Sequence, residues 1–138
     1  MPAIDAYIFD KKGVKNNLIL ELEEGDSIME CIKKGMQEHG LNKVSVEAVD
    51  GVLKEGLINY FEGGYFKSSV LKNASLMLAS GGFTLNYGEL FGSMKIVTGD
   101  KPPMHGTFVR GIAKEGMKLT LSFIQLVEKD NGKGSGQG

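Results

Sequence analysis

Glycine recurs inside stretches that otherwise read as β-strands, and this pattern limits the fold more than any other feature of the chain. Of its 138 residues, 20 are glycine, and Gly51, Gly81, Gly82 and Gly92 fall within apolar or alternating segments. Only glycine takes many of the backbone angles found in bulges and tight bends without steric cost, so the strands are expected to be bulged and sharply bent. The physical reading is a curved antiparallel sheet carrying a helix.

The local patterns fill in that outline. Asn17 to Glu23 begins apolar and then alternates apolar with acidic, as a half-buried strand does. Gly25-Asp26 breaks it. From Ser27 to His39, residues Ile28, Cys31, Ile32, Gly35, Met36 and His39 recur at spacings of three and four and gather on one helical face. Ser27 and Glu30 fit a capping box, and Gly40 stands where a left-handed C-cap is expected. Lys43 to Val49 alternates strictly, Asp50-Gly51 turns or bulges, and Val52 to Phe61 resumes as β. After the Glu62-Gly63-Gly64 loop, strands are read at Leu76–Ala79 and Phe83–Leu85, interrupted by Ser80-Gly81-Gly82. A hairpin at Asn86-Tyr87-Gly88 leads into Leu90–Val97. Pro102-Pro103 keeps a loop extended. The last strand, Lys118 to Val127, is apolar enough to be central or to lie at a subunit interface. Asp130 to Gly138 is polar and Gly-rich, so one domain is expected over 1–128, with a disordered tail at 129–138.

Composition excludes several function classes. The formal net charge is −1, from 16 basic and 17 acidic residues, and Arg110 is the only arginine. Phosphate binding usually shows as a basic excess, and base-edge contacts favour arginine's planar fork, so nucleic acid is not expected as a partner. Cys31 is the only cysteine, which rules out an intrachain disulfide and a cysteine-based zinc site within one chain. No basic stretch followed by an apolar run opens the sequence, and no segment approaches the roughly 18 to 20 apolar residues of a membrane span. The expected location is therefore cytoplasmic, with no membrane contact.

Candidate chemistry is sparse. His105 carries an imidazole beside a stiff Pro102-Pro103 loop, but the only other histidine, His39, sits at a helix end. No Asp-His or Glu-His spacing forms a ligand set. His105 reads as structural or exposed, with a cleft contact as the functional alternative. Cys31 reads as a small buried hydrophobe. Glu21, Glu23 and Glu24 read as a solvated strand end, and the paired glycines match no phosphate-binding loop. No G-x-S-x-G elbow is present. Catalytic residues, metal ligands and cofactors are accordingly expected to be absent.

Taken in order, Gly25-Asp26-Ser27-Ile28 opening a helix, Val44 to Leu53, Leu76 to Phe83 and Gly106-Thr107-Phe108-Val109-Arg110-Gly111 resemble the PPC (plant and prokaryote conserved) domain over residues 6 to 127. The resemblance implies an α+β domain, a curved and mostly antiparallel sheet flanked by helices with one main helix at about 27–39, that assembles as a homotrimer. Many prokaryotic members carry His-x-His after a turn and Gly-Gly-His-Leu further on, which together look like a metal site. Here the strand after Tyr87-Gly88 reads Leu90-Phe91-Gly92-Ser93-Met94, and the later motif becomes His105-Gly106-Thr107-Phe108, with Thr107 where histidine would fall. His105 is displaced by two residues, about 7 Å along a strand. The minor-groove-binding Arg-Gly-Arg-Pro core of plant members is absent as well.

The combined expectation is a non-enzymatic homotrimer that provides an interaction surface or binds a small ligand in a cleft near Phe91, Met94, His105 and Thr107. Two alternatives stand beside it. One is a small-molecule lyase, prompted by the similar fold of acetolactate decarboxylases and opposed by the missing ligands. The other is a DNA-associated regulator, prompted by the family and opposed by the charge balance.

Overall fold

The computed structural model describes residues 6–8 and 11–128. Its elements are β1 (Ala6–Ile8), β2 (Lys11–Leu22), α1 (Ile28–Glu38), β3 (Lys43–Glu62), β4 (Tyr65–Asn86), β5 (Glu89–Thr98), β6 (His105–Ala113) and β7 (Met117–Glu128). The tail from Asp130 onward lies outside the described residues.

All pairings are antiparallel, in the order β1-β2-β7-β3-β4-β5-β6, and β6 returns to pair with β3. The strands β3, β4, β5 and β6 therefore close on themselves, while β7, β2 and β1 extend as a wing from the first half of β3. Strand β3 supports both parts: Ser45 to Asp50 pair with β7, and Leu53 to Asn59 pair with β6.

This architecture corrects the expected α+β arrangement. Among the described residues the fold is a sheet with one 11-residue helix, not a sheet flanked by helices. The reason lies in strand length. The 20 residues of β3 and 22 of β4 are long enough to curl until the sheet buries its own inner face, a task that flanking helices perform for a flatter sheet. The sequence pattern marks Asp50-Gly51 as a turn or bulge and Ser80-Gly81-Gly82 as an interruption, and it marks no element over Tyr65–Asn73. Instead the strands run on through Gly51 and through Ser80-Gly81-Gly82.

Gly81 and Gly92 show how. With φ of +146° and +124°, both adopt backbone that L side chains rarely enter. A Cβ on Gly81 would lie 2.3 Å from the Ser93 carbonyl oxygen, and one on Gly92 would lie 2.2 Å from that of Gly82. The two glycines let β4 and β5 approach closely enough to bend together. The β4–β5 connection is tight for a related reason: Tyr87 (φ +52°) and Gly88 (φ +76°) form a two-residue hairpin turn with both central residues left-handed.

The helix follows its sequence signals. Ser27 is the N-cap, its Oγ accepting from the Glu30 N–H. At the other end, Leu41 N–H donates to Met36 O and Gly40 N–H to Gln37 O, a Schellman ending with Gly40 at φ +64°. Ile28, Ile32, Gly35 and Met36 are buried, and the helix packs against β2, β4 and β6. Around it the core continues through Leu22, Leu53, Ile58, Ile96, Phe108, Ala113, Leu119 and Leu121. β7 lies between β2 and β3 and is central, as its apolar sequence predicts.

Candidate functional site

Strand register places one residue of each neighbouring strand in line across the outer surface of the closed part. Ser80 on β4 lies opposite Lys95 on β5, Lys95 opposite Thr107 on β6, Thr107 opposite Asn59 on β3, and Asn59 opposite Ser68, back on β4. Directly opposed residues share a face, so these five polar side chains form one row. Ser68 Oγ donates to Asn59 Oδ1 at 2.7 Å. The adjacent row is apolar except for His105: Leu78 lies opposite Val97, Val97 opposite His105, and Phe61 opposite Phe66. The two phenyl rings meet edge to face, with centroids 5.0 Å apart.

Between these rows and the Pro103-Met104 loop runs an open groove of about 750 Å³, lined among others by Asn59, Lys95, His105 and Thr107. The loop is held down where the Met104 N–H donates to Thr98 Oγ1 at 2.9 Å and the Thr98 N–H donates to the Met104 carbonyl. Two of the four residues expected at a cleft therefore stand together here. Met94 is elsewhere: its neighbours in the strand alternate, so it points inward and is buried in the core. Phe91 pairs with Thr84 nearer the β4–β5 turn, exposed and outside the groove lining.

Lys95 is the groove residue that sequence reading missed. The signal was available, because alternation along Leu90–Val97 sets Lys95 on the face opposite Met94 and Ile96. Asn59 and Ser80 carry no such signal, since only the closure of β6 onto β3 and the pairing of β4 with β5 bring them alongside.

A second groove, of about 670 Å³, lies by the wing and is lined in part by Lys15, Lys43, Glu47 and Ser122. The Ser122 hydroxyl, nearly buried, donates to Glu47 Oε2 at 2.7 Å, and Lys15 Nζ stands 3.4 Å from the same oxygen. The Ser122 hydrogen bond holds the Glu47 carboxyl below its ordinary value against the opposing effect of burial, and Lys15 adds a smaller lowering. Glu24 is lowered in the same way by Lys54, at 3.0 Å, and by the Glu115 backbone N–H. Cys31 is half-buried rather than fully enclosed, and burial, followed by nearby Asp26, raises its thiol above the ordinary value. That shift disfavours the reactive thiolate. Among the described residues, no three His, Cys, Asp or Glu side chains converge to hold a metal ion.

No protein-family model matches this chain, and no curated protein matches it in sequence. Solved structures do match. A plant- and prokaryote-conserved (PPC) protein of Pyrococcus horikoshii superimposes with a TM-score of 0.65 at 19% identity, covering 94% of this chain and 89% of that one. The chain has the PPC-type fold. A metal-containing protein of Archaeoglobus fulgidus shares that fold at a TM-score of 0.66 and 14% identity, over 83% of this chain and 81% of the other. So does a protein of Bacteroides thetaiotaomicron provisionally named as DNA-binding, at a TM-score of 0.59 and 12% identity, over 86% and 82%. Where the PPC resemblance would place imidazoles, this chain has residues of the run Leu90 to Met94, and Thr107, none of them a histidine. Apolar side chains and hydroxyls make a poor transition-metal donor set.

Proposed function

We propose that the protein is a non-enzymatic, homotrimeric binding module that offers a small-ligand groove at the base of its β3–β4 arm. The observation that carries the assembly is the arm's apolar outer surface. Phe61 is 62% exposed, Phe66 83% and Val70 61%, while the Tyr65 to Ser75 stretch of β4 pairs with β3 alone. An apolar patch next to an open strand edge is the surface that a second copy covers, and a closed ring leaves no edge exposed. Three copies are favoured by the PPC resemblance. Light scattering coupled to size exclusion tests this: a mass about three times the 14.9 kDa chain is expected, and a stable monomer overturns it.

The groove supports the ligand-binding half of the reading, since its size and its apolar walls with a few converging polar groups are those of small-molecule sites. The lyase alternative has no ligand set to hold a metal. Elemental analysis is expected to find no stoichiometric transition metal, and one zinc per chain would reopen that alternative. For the DNA-associated alternative, the name of the Bacteroides neighbour is the supporting observation. Against it, Lys15, Lys54 and Lys67 each sit within 4.0 Å of a glutamate carboxylate, which lowers the charge available to phosphate.

No helix among the described residues is long and apolar enough to cross a membrane. A cytoplasmic location remains part of the proposal, resting on composition.

A further inference from the structure

The charge arrangement around the arm groove narrows what it would take. The rim carries one carboxylate, Glu62, and Lys67 Nζ lies 3.3 Å from its Oε1. Lys95 makes no ion pair with any described residue, yet it stands in mid-row between Ser80 and Thr107. An ammonium flanked by hydroxyls and an amide is a receptor for an anion, because each neighbour can donate a hydrogen bond to the same acceptor oxygens. One row away, Val97 supplies an apolar wall, with His105 opposite it and Pro103 on the loop side. The two rows lie on neighbouring turns of the strand pleat, about 7 Å apart, close to the length of a flat ring bearing a carboxylate.

We infer that the groove binds a small aromatic carboxylate, its ring against Val97 and Pro103 and its carboxylate on Lys95, Thr107 and Asn59. This deepens the small-ligand reading proposed above and rests on it. Such an anion also explains a lysine at this point of an otherwise uncharged row, where a neutral ligand would need only the hydroxyls.

The test compares 2-naphthoate with its neutral isostere 2-naphthamide, titrated into the assembled, isotope-labelled protein and followed by amide chemical shifts. Naphthoate should shift Asn59, Lys95 and Thr107 saturably and bind about tenfold more tightly than naphthamide, the effect of one charge-assisted contact. Lys95→Gln, an exposed substitution, should remove that difference, chiefly by weakening naphthoate binding. Lys72→Gln, on the same strand as Ser80 but outside the groove, should remove nothing. Equal binding of both probes in the groove overturns the carboxylate assignment and leaves the small-ligand reading standing. If neither probe shifts the groove residues, both readings fall, and naphthoate shifts confined to the Lys15–Lys43 groove overturn the assignment of the site.

Discussion

The two halves of β3 present outer faces of opposite character. In the first half, Ser45 and Glu47 face outward beside Ser122 of β7, and the polar groups are satisfied locally: hydroxyl to carboxylate at 2.7 Å, ammonium to carboxylate at 3.4 Å. In the second half, Leu57, Asn59 and Phe61 face outward, and the arm they form with β4 leaves Phe61, Phe66 and Val70 largely in water. Both halves bury the alternate residues equally well, Val44 and Val46 in one, Leu53 and Ile58 in the other. The difference is therefore confined to the outer face. One half is finished as a surface, and the other has the composition of a contact. A single strand with one uniform inner face can thus belong both to a core and to a binding surface.

The sharpest way to break the inner face is at the β4–β5 bend. Gly92→Ala forces a Cβ into backbone at 2.2 Å and a side chain into positive φ, and both errors persist unless the strands separate. The expected loss is about 3 kcal/mol or more, summing strain and overpacking. Leu53→Ala, at a fully buried site facing Gly56 and Gly111, should cost about 2 to 5 kcal/mol through lost burial and a residual cavity. Chemical denaturation measures both. A Gly92→Ala protein as stable as the parent would mean that β4 and β5 do not cross as closely as described.

The outer face of the arm should respond in the opposite sense. Phe66→Asp removes apolar surface that the single chain already exposes, so the stability of the chain itself should change only by about the worth of the Phe61 ring contact, roughly 1 kcal/mol. The assembly should dissociate, because a carboxylate would have to be buried against a neighbouring copy without a partner. Mass measured by light scattering separates the two outcomes. An unchanged mass would show that the arm is not where copies meet.

How much of this was legible from sequence divides along the same line. The helix was, down to Ser27 at its start and Gly40 past its end, since capping is local chemistry written in adjacent residues. The apolar run of β7 left it either central or at a subunit interface, and the sheet order makes it central. The bending of the strands at glycine was legible, but their full length was not, because a glycine that marks a bulge marks a turn equally well, as at Asp50-Gly51, and Ser80-Gly81-Gly82 reads as an interruption. Self-closure was hidden for a deeper reason: it depends on Leu53–Asn59 meeting Thr107–Ala113, a long-range pairing that no local pattern encodes. Of the candidate site, His105 and Thr107 reach the groove because both lie on one face of one short strand. Met94 was misplaced by a single step of alternation, which exchanges inside for outside.

The smallest expected effect tests whether the first half of β3 is indeed finished. The Glu47 carboxyl is held below its ordinary value of 4.5, first by the Ser122 hydroxyl and then by Lys15. A depressed value in the folded state means that the unfolded chain binds the proton more tightly. The stabilisation is therefore complete above about pH 4.5 to 5 and is lost as pH falls through the folded-state value. Ser122→Ala should move the Glu47 titration upward and reduce stability at neutral pH. The difference from the parent should shrink as both proteins are acidified. Lys15→Gln should act in the same direction but more weakly, and its effect should fade with added salt, since an exposed charge pair is screened whereas a direct hydrogen bond is less so. Carboxyl-detected NMR titration reads the Glu47 midpoint in each variant. If Ser122→Ala leaves it in place, the hydroxyl is not what satisfies that carboxylate, and the contrast between a finished and an unfinished outer face loses its clearest support.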